Sequence, residues 1–156
     1  MSKLIPFSLL FLTIAVFSGC IPDPISDEEI FAQDVKEIEK YLDDHNLTAQ
    51  VTASGLHYII EEEGTGGHPS ASSKVTVRYK GYLLDGTVFD ETDGTETVSF
   101  NLNGLIVGWQ EGIPLLQKGG KGKFFLPSKL AYGRSGSGSS IPPNTPIAFD
   151  IELVNF

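Results

Sequence analysis

One apolar stripe with a helical period lies near the beginning of the chain. It consists of residues spaced by four, three and four positions, namely Phe31, Val35, Ile38 and Leu42. Ser26 precedes this stripe as an N-cap, and Glu29 follows three residues on to complete a capping box. The residues between the stripe positions, Asp34 among them, are mostly polar and are expected to face solvent. The pattern predicts an amphipathic helix over residues 26–46.

The sequence leaves open what this stripe covers. One interpretation is that the helix packs against the chain's own domain, and the other is that it forms the contact of a homodimer. The spacing of the apolar residues is the same in both cases.

Beyond position 46 the apolar residues alternate with the period of two that half-buried strands have. Five strands are predicted, over residues 56–60, 75–80, 98–102, 124–126 and 147–154. A short helix is predicted over residues 108–116, since Gly119 and Gly120 follow it as a stop. An antiparallel sheet with one helix against it is an α+β fold, and we expect one domain over residues 50–156. The glycine- and serine-rich residues 133–140 are expected to form a flexible loop.

Residues 1–19 have the organisation of a secretory signal peptide, because a lysine precedes an uncharged apolar run that ends in small residues. Phe17-Ser18-Gly19-Cys20 resembles a bacterial lipobox, in which the cysteine becomes a lipid-modified N-terminus, although leucine is usual where Phe17 stands. We therefore predict a signal peptide over residues 1–19, lipidation of Cys20, a tether over residues 20–25 and anchoring to a membrane. The alternative is a cysteine that merely ends a cleavable signal or an anchor helix.

The composition limits the classes of partner. The formal net charge is −9, and no lysine or arginine cluster exists beyond the pair Lys121 and Lys123, which argues against a nucleic-acid partner. Cys20 is the only cysteine, so an intramolecular disulfide cannot form. The 17 glycines and 9 prolines suit a sheet protein with many turns.

Conventional catalytic groups are poorly represented. The histidines, His45, His57 and His68, lack the spacing of a metal site or a catalytic triad. The glycine-rich residues 64–67 and 119–123 do not complete a phosphate-binding loop. We therefore predict no metal and no cofactor.

Six short motifs rich in aromatic residues and glycine remain as candidate chemistry. They are Val77-Arg78-Tyr79-Lys80-Gly81, Asp85-Gly86-Thr87-Val88-Phe89-Asp90, Val107-Gly108-Trp109-Gln110-Glu111-Gly112, Leu130-Ala131-Tyr132-Gly133, Ile141-Pro142-Pro143-Asn144 and Phe149-Asp150-Ile151-Glu152-Leu153. In this order and spacing they closely resemble the FKBP domain, from residue 56 to residue 156. The resemblance implies a twisted antiparallel half-barrel of about five strands wrapped on the short helix, with an apolar pocket between them.

The same resemblance implies a role for individual residues. Trp109 would form the floor of the pocket, and Asp90 and Tyr132 would supply its polar, catalytic contacts. The substrate-binding walls and edge would be formed by Tyr79, Phe89, Phe100, Leu105, Ile106, Ile141 and Phe149. The backbone N–H of Ile106 would face a carbonyl of the bound peptide. Three positions depart from the usual pattern of the family. An aromatic wall residue is frequent where Val98 stands, and bulkier loop residues are usual where Ser137 and Ser140 stand. These departures bear on substrate preference and inhibitor affinity.

The function that the resemblance implies is peptidyl-prolyl cis/trans isomerisation of proline-containing polypeptides. With the predicted signal and lipid anchor, this becomes an enzyme that assists protein folding in the bacterial cell envelope, facing the periplasm or the exterior. The main alternative is a non-enzymatic holdase chaperone that uses the same pocket to grip apolar peptide segments. A second alternative is a structural envelope lipoprotein that uses the helix over residues 30–44 for assembly. Rotation about a prolyl bond breaks no covalent bond, so an apolar pocket with few polar contacts suits the reaction.

Overall fold

An N-terminal helix, an antiparallel sheet and a second, short helix form the part of the chain that the structure describes. The computed structural model describes residues 25–156. The predicted signal peptide, the lipidation site Cys20 and the tether up to residue 24 lie outside the described residues. Over residues 25–156 no helix is long and apolar enough to cross a membrane.

The first helix, α1, spans Asp27–Asp44 and begins as the sequence predicts. The Glu29 backbone N–H donates to the Ser26 side chain at 3.2 Å, and the Ser26 backbone N–H donates to the Glu29 carboxylate at 2.9 Å. The predicted capping box is therefore confirmed, and it satisfies donors that the first turn of a helix leaves without partners.

The buried row of α1 differs from the predicted stripe. Its members are Ile30, Asp34, Ile38 and Leu42, whereas Phe31 and Val35 are half-buried at the side of this row. The expectation that Asp34 faces solvent is wrong, because its carboxylate accepts hydrogen bonds from the backbone N–H and the hydroxyl of Ser128. These two hydrogen bonds offset the free-energy cost of burying the carboxylate, which an unpaired carboxylate would bear in full.

The apolar part of α1 packs on the chain's own sheet. Ile38 and Leu42 form one buried cluster with Tyr82, Phe125 and Ala148. This contact favours the first of the two interpretations of the stripe, packing within the domain.

The sheet is open and antiparallel and has seven strands. They are β1 (Gln50–Val51), β2 (His57–Glu62), β3 (Lys74–Leu83), β4 (Val88–Glu91), β5 (Val98–Asn101), β6 (Lys121–Leu126) and β7 (Ile147–Asn155). Their order is β1-β2-β6-β7-β3-β4, and β5 pairs beside β4 on the same edge of β3. The predicted α+β class is confirmed. Five strands correspond to the predicted ones, and the short β1 and β4 are additional.

The second helix, α2 (Val107–Gly112), packs on the other face of the sheet and continues into a 3-10 turn over Ile113–Leu115. Successive residues of a strand point to opposite faces. Phe124 and Phe149 accordingly belong to the core cluster that contains Trp109, whereas their neighbours Phe125 and Ala148 belong to the cluster with α1. The sheet therefore separates α1 from α2.

The loop predicted as flexible over residues 133–140 contains ordered turns. A 3-10 turn spans Gly133–Ser135, and Ser137 and Ile141 exchange backbone hydrogen bonds of 2.8 and 3.1 Å. Gly136 has a φ of 63°, and a Cβ there would lie 2.3 Å from the carbonyl oxygen of Ile141. Glycine at this position allows the chain to turn back toward the sheet.

Candidate active site

A cavity of about 440 Å³ opens between the sheet and α2. It is lined by Tyr79, Phe89, Asp90, Phe100, Leu105, Ile106, Trp109, Tyr132, Ser137, Gly138, Ser140, Ile141 and Phe149. All ten residues predicted as catalytic or substrate-binding are among them. The structure thus brings together residues that four strands, one helix and two loops supply.

Trp109 lies at the bottom of this cavity and is 5% exposed. The rings of Tyr79, Phe149 and Phe100 meet it edge-to-face, with centroid distances of 5.1, 5.2 and 5.9 Å. Such perpendicular contacts match the positive edge of one ring to the negative face of another. Among the described residues, the indole Nε1 of Trp109 is a buried side-chain polar atom without a hydrogen-bond partner. The floor is therefore an almost wholly apolar aromatic surface.

Gly81 makes the aromatic wall above the floor possible. Phe89 and Phe149 pack perpendicularly beside it, with ring centroids 5.6 Å apart. A Cβ on Gly81 would come within 2.5 Å of the Phe89 ring and 2.7 Å of the Phe149 ring. The sequence shows this glycine in a motif but gives no sign of the rings that close over it, because they come from β4 and β7.

The polar edge of the cavity is formed by Asp90, Tyr79 and Tyr132. The Tyr79 hydroxyl donates to Asp90 Oδ2 at 2.5 Å. Burial, together with the Asp90 charge, raises the pKa of both the Tyr79 and the Tyr132 phenol above the usual value. Both phenols are therefore protonated at neutral pH, and their hydroxyls can donate hydrogen bonds inside an otherwise apolar site.

The lip of the cavity is formed by the segment that enters α2. Leu105 and Ile106 are half-buried, and Ile106 is the N-cap residue of α2 with an extended backbone. The Gln110 side chain donates to the Leu105 carbonyl at 2.7 Å and so fixes this segment to the first turn of the helix.

The opposite lip is formed by Ser137, Gly138, Ser140 and Ile141. Gly138 was missed from the sequence, since only Ser137 and Ser140 were singled out in this loop. Val98 packs against the core cluster and does not line the cavity, although its strand carries Phe100, which does. On this lip Ile141 is the only bulky side chain, since the other three residues are serine or glycine.

The chemistry available to the cavity is limited. In the described part of the chain no group of three or more histidine, cysteine or acidic side chains is arranged to hold a metal ion. The cavity offers aromatic surface, phenol hydroxyls and a carboxylate. Such a site can bind an apolar ring and hold a neighbouring carbonyl through a hydrogen bond.

Known proteins share both the sequence and the fold. Residues 66–154 match the family FKBP-type peptidyl-prolyl cis-trans isomerase. The Aeromonas hydrophila protein named FKBP-type peptidyl-prolyl cis-trans isomerase FkpA is 53% identical over 104 residues, which are 66% of this chain and 38% of that protein.

Two solved structures superpose on this fold. The crystal structure of FkpA from Escherichia coli has a TM-score of 0.71 and 39% identity, covering 82% of this chain and 61% of that one. A peptidyl-prolyl cis-trans isomerase from Pseudomonas syringae has a TM-score of 0.69 and 30% identity, covering 86% of this chain and 98% of that one.

The chain belongs to the FKBP-type peptidyl-prolyl cis-trans isomerase family, because the family match spans more than half of it. The resemblance inferred from the six motifs is thereby confirmed. The chain spans 38% of the length of the Aeromonas relative.

Proposed function

We propose that this protein is a peptidyl-prolyl cis/trans isomerase acting on proline-containing polypeptides. The observation that carries the proposal is the cavity itself, in which Trp109 and three perpendicular aromatic rings lie beside the hydroxyls of Tyr79 and Tyr132. Membership of the isomerase family supports the same activity.

The proposed chemistry is rotation about an amide bond without covalent change. The barrier of an ordinary peptide bond, ~18–20 kcal/mol, comes from resonance between the carbonyl and the nitrogen. In the twisted transition state this conjugation is lost, so the amide is less dipolar and suffers less from an apolar surrounding than the planar amide does. A pocket of aromatic rings therefore binds the transition state better than the ground state.

Each lining residue has a place in this proposal. The proline ring packs on Trp109, and the Tyr132 hydroxyl and the Ile106 backbone N–H donate to carbonyls of the peptide. Asp90 holds the Tyr79 hydroxyl and keeps the polar edge of the pocket fixed. The apolar contacts to the peptide come from Phe89, Phe100, Leu105, Ile141 and Phe149. The proposal thus assigns catalysis to Tyr132, through its contact with the peptide, and to Asp90, which positions the Tyr79 hydroxyl.

A holdase that uses the same cavity only to grip apolar segments is the alternative, and the apolar lining supports it equally. One experiment distinguishes the two activities. It measures the turnover of a short proline peptide and the suppression of aggregation on the same preparation. An isomerase accelerates the prolyl exchange at substoichiometric concentration. A holdase suppresses aggregation at stoichiometric concentration and leaves the exchange at its uncatalysed rate.

We also propose that the protein is exported and anchored by a lipid on Cys20, and that it assists folding in the bacterial cell envelope. The support is the order of apolar run, small residues and cysteine in the sequence. A homodimer through α1 stays a prediction. The stripe of α1 packs on the chain's own sheet, so such a dimer would use the exposed and largely acidic side of the helix.

A further inference from the structure

The segment that carries Tyr132 is held from behind by α1. This segment leaves the end of β6 at Pro127, forms a 3-10 turn over Ser128–Leu130 and reaches Tyr132 two residues later. Its contacts with α1 lie on both sides of Tyr132 in sequence, at positions 128, 129 and 134. α1 thereby touches the catalytic segment without lining the pocket.

The buried contact is the one between Asp34 and Ser128. Both residues are 2% exposed, and Asp34 Oδ2 accepts from the Ser128 backbone N–H at 2.7 Å and from the Ser128 hydroxyl at 2.5 Å. Hydrogen bonds to a charged acceptor are among the stronger ones, and a buried donor that loses its acceptor is costly. Asp34 therefore fixes the first residue of the turn in one position.

The two outer contacts are weaker. The Lys129 ammonium lies 3.3 Å from the centroid of the Phe31 ring. The Arg134 guanidinium donates to Asp27 at 2.8 Å and to the Ile25 carbonyl at 2.7 Å. Lys129 and Arg134 are both exposed, and exposed cation–π contacts and ion pairs contribute little stability. The buried contact of Asp34 is accordingly the one that decides where the turn lies.

Hydrogen bonds within the turn connect Ser128 to the residues that lead into Tyr132. The Leu130 N–H donates to the Pro127 carbonyl and the Ala131 N–H to the Ser128 carbonyl, both at 2.9 Å. Only Ala131 then separates this hydrogen-bonded turn from Tyr132. A shift of Ser128 would therefore reach the backbone of Tyr132 through one intervening residue.

α1 also contacts the turn at residues 54–55, which is hydrogen-bonded to α2. A Cβ on Gly55 would come within 2.6 Å of the Phe31 ring, so the ring lies directly on this turn. The neighbouring Ser54 hydroxyl donates to the Glu111 carboxylate of α2, 2.7 Å from Oε2. The turn at residues 54–55 thus connects α1 to α2, which carries the floor residue Trp109.

We propose that Asp34 is a positioning residue for Tyr132, and that α1 sets the catalytic geometry of the pocket through the contact between Asp34 and Ser128. The inference rests on the proposed isomerase function, since that proposal gives Tyr132 its role. A helix that merely stabilised the domain would change the measured activity only by changing the fraction of molecules that are folded.

The test compares Asp34→Ala with Asp34→Asn and with Leu42→Ala in the purified protein. The asparagine keeps an oxygen that can accept from Ser128, and Leu42 packs in the cluster with Phe125, away from the catalytic segment. Under conditions in which all variants are folded, Asp34→Ala is expected to lower kcat/KM on a proline peptide by roughly three- to tenfold. Asp34→Asn and Leu42→Ala are expected to stay near wild type.

A double-mutant cycle shows whether the effect passes through Tyr132. In a Tyr132→Phe background, Asp34→Ala is expected to cause little further loss of kcat/KM. A full additional loss would overturn the inference. Should Asp34→Ala fail to fold, Ser128→Ala, which removes one of the two donors, replaces it in the cycle.

Amide hydrogen exchange over residues 128–136 provides a readout that does not depend on turnover. Asp34→Ala is expected to accelerate exchange there by at least about tenfold more than Leu42→Ala does. A wild-type protein without turnover would overturn the proposed function. A wild-type protein with turnover, in which Asp34→Ala and Leu42→Ala behave alike in both measurements, would overturn only the inference about Asp34.

Discussion

The Tyr79 hydroxyl and the Asp90 carboxylate form a hydrogen bond of 2.5 Å across the edge of the cavity. Tyr79 comes from β3 and Asp90 from β4, and the same phenol ring meets Trp109 edge-to-face at 5.1 Å. One side chain therefore connects the polar edge of the pocket to its apolar floor. We therefore expect a change at Asp90 to alter the position of the Tyr79 ring against Trp109.

Replacing either proposed catalytic residue tests this arrangement. Asp90→Val removes the acceptor of the Tyr79 hydroxyl, and Tyr132→Phe removes one hydroxyl and keeps the ring. If the site stabilises a transition state, each change lowers kcat/KM for a proline peptide by roughly ten- to a hundredfold, or about 1.4–2.8 kcal/mol. Peptide affinity should change much less. Steady-state kinetics and a peptide titration measure the two effects separately.

Matched controls exist on the same fold. Glu91→Val removes an exposed carboxylate from the neighbouring position of β4, and Tyr58→Phe removes a hydroxyl that bonds to Gln50 outside the cavity. Both controls should keep wild-type turnover. Turnover that is indifferent to Asp90→Val and Tyr132→Phe would contradict the roles proposed for these two residues.

The sequence could predict the pocket better than the elements that build it. The aromatic residues are identifiable because they recur in ordered motifs with glycine, and the structure places them around one cavity. The strand β4 was missed because Val88–Glu91 is only four residues long and shows no extended alternation. Its partner β3 is close in sequence, since Gly81 pairs with Asp90 across a short turn. The Asp85-Gly86 dipeptide in that turn is a hairpin signal that could have revealed β4.

The burial of Asp34 was beyond what the sequence could show. A carboxylate on a helix is normally solvated, and the pattern of polar residues assigned it to the exposed side. The partner that makes its burial tolerable, Ser128, lies 94 residues further along the chain. Gly138 was missed for a related reason, since a glycine has no side chain whose chemistry marks a pocket.

Gly81→Ala tests the packing of the aromatic wall. The added methyl group would overlap the rings of Phe89 and Phe149, so we expect a loss of about 1–3 kcal/mol in the free energy of unfolding and weaker peptide binding. Gly67→Ala is the control, because a Cβ there meets no atom within 4 Å. Denaturant unfolding compares the two. Equal stability of both variants would show that the rings of Phe89 and Phe149 move aside without loss of free energy of unfolding, which would contradict this prediction.

The pH dependence of stability tests the environment of Asp34. Burial raises its pKa above the ordinary 3.8, and this effect exceeds the opposing effect of the hydrogen bonds from Ser128. The folded chain therefore binds this proton more tightly than the unfolded chain, and the associated stability is present below the ordinary pKa and lost as the pH rises through the raised one. The nearby Glu37, whose pKa is raised by burial and by the Asp34 charge, acts in the same direction.

Asp34→Asn removes this ionisation. Between about pH 3 and about pH 7, the wild type should lose stability relative to the asparagine variant, as measured by urea unfolding at each pH. A difference between the two proteins that stays constant across this range would contradict the raised pKa.

Cys20→Ser tests the proposed anchor. Since the lipid would be attached to Cys20, the variant should leave the membrane fraction while its isomerase domain stays folded and active. Fractionation after expression in a bacterial host, with the processed N-terminus identified by mass spectrometry, measures this. A processed variant that pellets with membranes as fully as the wild type does would contradict lipid anchoring.

The most direct test of the central claim is the exchange rate of a proline peptide at equilibrium, followed by NMR with a small molar fraction of the protein. Uncatalysed exchange takes roughly tens to hundreds of seconds. The account predicts that the wild type accelerates this exchange many-fold, leaves the cis-to-trans ratio of the peptide unchanged, and does so far less when Asp90 is valine. Exchange at the uncatalysed rate in a protein that still binds the peptide would contradict the assignment of this site as an isomerase.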